Sequence, residues 1–102
     1  GNLYAEVGQI EPAREHYEQD VQICEQTGDR YGAGQTRFNL ALMYSRAAGR
    51  AAAPARRDLL QRALAYARAS LRDFQHFQGR AAADEADAQE LIDAIEGELG
   101  ER

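Results

Sequence analysis

The chain has 102 residues, 44% of them hydrophobic, with 12 arginines, 17 carboxylates and a formal net charge of −5. That length suits one domain with a single core, and the acidic balance argues against a nucleic-acid-binding protein. No apolar run approaches the roughly 20 residues of a membrane span, and the one cysteine, Cys24, excludes an internal disulfide.

Alanine occurs 20 times, lysine never, and proline only as Pro12 and Pro54. Alanine with arginine and glutamate favours helix, and no alternating apolar run suggests a strand, so an all-α fold of about five helices is expected. The first, Gly1 to Val7, should end at Gly8. The second runs from about Glu11 to Gln26, with Pro12 in its first turn and Ala13, Tyr17, Val21 and Cys24 as its apolar stripe. Cys24 reads as a small buried apolar residue. Thr27 and Gly28 stop this helix, and Asp29 can cap a third that continues to about Ala47. There Leu40, Met43, Tyr44 and Ala47 form one stripe, while Phe38 and Leu42 make the other side apolar too, as in a helix between neighbours or lining a groove. The fourth, Pro54 to about Phe77, carries Leu60, Ala63, Leu64, Ala67, Leu71 and Phe74. The fifth, Ala81 to about Leu99, is polar apart from Ala88, Leu91, Ile92, Ile95 and Leu99, which suits a terminal helix with one neighbour.

Gly1, Tyr4, Gly8, Ala13 and Tyr17 follow the order of the tetratricopeptide repeat (TPR) signature, Trp-x2-Leu-Gly-x2-Tyr followed by Ala-x3-Phe. A second copy starts at Arg37-Phe-Asn-Leu-Ala-Leu-Met-Tyr44, with Arg37 at the tryptophan position and Ala67 in place of the second aromatic. The chain thus resembles the TPR family, in the longer-repeat form found in kinesin light chains and bacterial signalling arrays. The resemblance implies a right-handed superhelix of antiparallel helix pairs, an α-solenoid fragment. On that reading residues 1–102 form one domain. Residues 1–28 are a truncated first repeat, 29–79 a second repeat with an insertion at 48–57, and 80–102 a terminal capping helix. The insertion follows from spacing: Tyr4 to Tyr44 is 40 residues, whereas Ala13 to Ala63 is 50. A first helix this short looks cut from a longer array, and the exposed edge should fray or self-associate.

The residues offer little catalytic chemistry. His16 and His76 lack the paired Glu-x2-His arrangement of a bundle metal site, Ser45 and Ser70 have no nucleophile-elbow glycines, and Gly28, Gly32 and Gly34 sit at a helix junction rather than in a phosphate loop. No enzyme activity, metal or cofactor is expected. Residues 50–72 carry six arginines and one aspartate, and residues 80–102 carry eight acids and two arginines. Two consecutive helices of opposite charge should attract each other, although Arg56, Arg57, Arg62, Arg68 and Arg72 could instead face an acidic partner.

In TPR proteins the first helix of each repeat lines the concave face. By motif position that face here presents Asn2, Glu6, Gln35, Phe38, Asn39, Leu42 and Arg46. Asn2 and Asn39 fall where carboxylate-clamp members place asparagines, but Glu85, Gln89 and Glu90 would repel a chain-terminal carboxylate. The resemblance therefore implies a protein-interaction scaffold or sensor module that takes a partner peptide or helix, with no nucleic acid and no membrane. A structural cap for a longer array, and a regulatory domain of a signalling ATPase or transcriptional regulator, are the alternatives. The lysine-free, alanine- and arginine-rich composition suits a bacterial protein, and with no visible signal peptide or membrane span a cytoplasmic setting is the default expectation, although a chain that begins at Gly1 need not show its leader.

Overall fold

Four helices connected by short turns make up the structure, a computed structural model that describes residues 3–100, with side chains from Ile10 onward: α1 (Leu3–Thr27), α2 (Arg30–Gly49), α3 (Ala55–Gln75) and α4 (Ala82–Leu99). The expected break at Gly8 is absent. One helix runs through Gly8 and Pro12, so the first two expected helices are a single 25-residue element. Interior glycine costs only about 1 kcal/mol and does not by itself end a helix. Pro12 removes one backbone donor, at a cost of about 3 kcal/mol that the other turns of a long helix can absorb.

The other boundaries follow local chemistry. Gly28 adopts φ +76°, the Asp29 amide reaches the Cys24 carbonyl at 2.7 Å, and the Gly28 amide reaches Glu25, which closes α1 with a Schellman-type turn. The Asp29 carboxylate then accepts the Gly32 amide at 2.8 Å and caps α2. Gly79, at φ +91°, turns the chain between α3 and α4, and Gly100 ends α4 in the same left-handed region.

Successive helices run antiparallel. Ile10 and Tyr44 share a cavity wall while Thr36 bonds Asp20, which sets α1 against α2 in opposite directions. Phe74, Ala81 and Ala88 form one cluster at the α3–α4 turn, and Leu60 and Leu99 belong to another at the far end. Alternate helices also meet. The Tyr66 hydroxyl on α3 donates to Glu18 on α1, and the Tyr31 hydroxyl on α2 donates to Asp84 on α4 at 2.7 Å.

The core lies along α2 and α3. Leu40, Ala41, Tyr44 and Ala47 from α2 pack with Leu59, Leu60, Ala63, Leu64 and Ala67 from α3, and α4 adds Ile92, Ile95 and Leu99. Ala41, Ala47, Ala48, Ala63 and Ala67 are completely buried. Their small side chains let the backbones approach, and bulk comes instead from Tyr44, Phe74, Leu40 and Leu60. At Gly34 α2 and α3 come into close contact: a Cβ there would lie 2.9 Å from a Phe74 ring carbon and 3.0 Å from the Asp73 Cβ. On α1, Val21 is buried, while Ala13, Tyr17 and Cys24 are only half-buried.

Candidate functional site

The residues assigned to the concave face divide into three groups. Asn2 lies outside the described residues, as does the side chain of Glu6, whose backbone belongs to α1. Gln35, Asn39 and Arg46 are exposed along α2, and Leu42 is half-buried between them. Phe38 is also half-buried, but it packs against Phe74, Ala81 and Ala88 and so belongs to the interior contact among α2, α3 and α4.

The structure brings Asn39, Leu42 and Arg46 together. Spaced three and four residues apart, they share one face of α2 and line a cavity of about 250 Å³ with Tyr17, Met43 and Arg50. Tyr17 comes from α1 across the groove. Sequence periodicity assigns it to the core, yet it stands half in the groove wall. The floor is apolar through Leu42, Met43 and the Tyr17 ring. Asn39 supplies hydrogen-bonding groups and Arg46 an exposed positive charge.

The arginines of α3 mostly face α4. Arg68 pairs with Glu96 at 2.7 Å, Arg56 lies 3.7 Å from Glu98, and Arg57 donates to the Leu99 carbonyl at 3.3 Å. Each exposed pair adds tenths of a kcal/mol, and the Arg57 bond also satisfies a carbonyl in the last turn of α4. Arg62 and Arg72 make no such pair among the described residues. Arg62 lines the cavities between α1 and α3, with Glu11 and Tyr44, whereas Arg72 points to a different place.

That place is a cavity of about 570 Å³, where the end of α1, the start of α2 and the end of α3 converge. Arg30, Arg37, Arg72, His76, Glu25 and Asp73 supply its polar lining. Asp73 is 4% exposed and holds two arginines, Arg37 through Nη1 at 2.6 Å and Arg30 through Nε at 3.1 Å. Arg37 also pairs with Glu25 at 2.9 Å. Arg30 Nη1 lies 3.5 Å from His76 Nδ1. At the opposite wall, burial pushes the Cys24 thiol pKa up, and the charges of Asp29 and Asp20 add to the effect. Sequence spacing could not reveal this cavity, because its residues stand up to 52 positions apart, from Cys24 to His76.

Comparison with known protein families, characterised proteins and solved structures gives no significant match to this chain.

Proposed function

We propose that the chain is a TPR-type segment of a helical array and serves as a protein-interaction scaffold, taking an amphipathic helix or peptide along the exposed face of α2. The carrying observation is the convergence of Asn39, Leu42 and Arg46 with Tyr17 on one groove that is apolar in its floor and polar at its rim. The alternation in which α1 meets α3 and α2 meets α4 supports the repeat reading, since stacked helix pairs place every second helix side by side. A cytoplasmic, bacterial setting fits the composition.

The structural-cap reading draws on a different observation, the packing of Phe38 into the Phe74–Ala81–Ala88 cluster. The two readings separate on Leu42 and Arg46. Helical peptides selected for binding to the wild-type chain should lose about tenfold or more in affinity to Leu42→Ser/Arg46→Glu, with urea stability within about 1 kcal/mol of wild type. A large loss of stability with no selectable peptide would favour the cap.

A further inference from the structure

We infer that the 570 Å³ cavity at the junction of α1, α2 and α3 is a second binding site, one that takes a small organic phosphate monoester. Its volume lies within the range of small-ligand pockets, about 300–1,000 Å³. Three arginines face two carboxylates in it, so the lining carries an excess positive charge within a chain that is acidic overall.

The internal pairings locate that excess. Arg37 is taken up by Asp73 and Glu25, and Asp73 also fixes Arg30 through its Nε. Arg30 retains its outer Nη2 group, and Arg72 is engaged by no carboxylate among the described residues. The positive end of the cavity is therefore Arg30 and Arg72, with the His76 imidazole beside them. The Asp29 carboxylate lies 4.0 Å from the Cys24 sulfur and makes that end negative, so an anion belongs at the α3 side. Three carbonyls at the end of α3 are already engaged: those of Arg72, Phe74 and Gln75 receive the amides of His76, Phe77 and Gln78. The Gly32 amide at the start of α2 is already used by Asp29, so the site rests on side chains. A phosphate suits two guanidinium groups and an imidazole better than a single charge would. The small side chains of Ala33, Ala69 and Cys24 leave room for the organic part beyond it.

The test is titration of the folded chain with phenyl phosphate, inorganic phosphate and phenol at constant ionic strength, followed by amide and Arg side-chain NMR. Phenyl phosphate should saturate shifts at Arg30, Ala33, Arg72 and His76 and bind more tightly than inorganic phosphate, while phenol should not bind. Arg72→Gln, an exposed change, should weaken phenyl phosphate at least about tenfold, while Arg62→Gln, in a different cavity, should leave it unchanged. Absence of saturation, equal loss with Arg62→Gln, or equal affinity for inorganic and phenyl phosphate would each overturn the assignment.

Discussion

Arg37 on α2 and Asp73 on α3 form the most buried ion pair among the described residues, with Nη1 and Oδ2 2.6 Å apart. Asp73 lies 4% exposed, and its second oxygen accepts Arg30 Nε from the first turn of α2. One carboxylate thus fixes two points along α2 relative to α3.

Replacing Asp73 should therefore be costly. Asp73→Ala strands Arg37 beside the core and should destabilise the chain by about 2–4 kcal/mol, at the lower end because both arginines are partly solvated. Arg37→Met/Asp73→Leu should recover part of that loss, since it removes the buried carboxylate together with its closest partner and leaves only the exposed ends of Arg30 and Glu25 to be taken up by solvent. Urea unfolding of Arg37→Met, Asp73→Leu and the double variant measures the coupling; strict additivity would show that the bridge does not act as a unit.

Two glycines should respond in opposite directions. Gly34→Ala drives a methyl into the Phe74 ring and the Asp73 Cβ and should cost about 1–3 kcal/mol. A Cβ at Gly97 in α4 would meet nothing within 4 Å, so Gly97→Ala should stabilise by about 0.5–1 kcal/mol through helix propensity alone. Thermal unfolding followed by circular dichroism distinguishes the signs.

Pro12 reports on the continuity of α1. In one uninterrupted helix Pro12→Ala restores a missing backbone donor and should stabilise by about 1–3 kcal/mol with a rise in helicity. If the chain turned at Gly8, the same substitution would remove a favourable first-turn proline, and stability would stay level or fall.

Alkaline pH should weaken the α1–α3 contact. Burial raises the Tyr66 phenol pKa, and its hydrogen bond to Glu18 raises it further. A group whose pKa is higher folded than unfolded stabilises fully below the unfolded value, near 10 for tyrosine, and loses that contribution as pH rises beyond it. Tyr31, held by Asp84, shifts in the same direction. Unfolding free energies at about pH 8 and about pH 11 should differ less in Tyr66→Phe than in wild type, and least in Tyr31→Phe/Tyr66→Phe.

Much of the local architecture was legible in the residues. The stripes of α3 and α4 follow helical periodicity, and of those positions only Leu71 and Leu91 are less than fully buried. Asp29 and Gly28 announce the α1–α2 turn because capping and left-handed φ are properties of a few adjacent residues. The supposed stop at Gly8 used the same kind of signal and failed. A glycine permits a left-handed turn without requiring one, and the helix simply continues through it.

What the sequence by itself determined was an all-helical chain, the faces its helices bury, and most of the places where they end, all of which depend on neighbours within about four residues. The tertiary structure alone decided that Phe38 turns into the α2–α3–α4 contact, that Tyr17 joins Leu42 at a groove, and that Asp73 gathers Arg30 and Arg37. Those relationships link residues as many as 50 positions apart, from Phe38 to Ala88. They depend on how antiparallel helices set their register against one another, which the packing of the small residues Gly34, Ala41, Ala63 and Ala67 settles and local spacing does not encode.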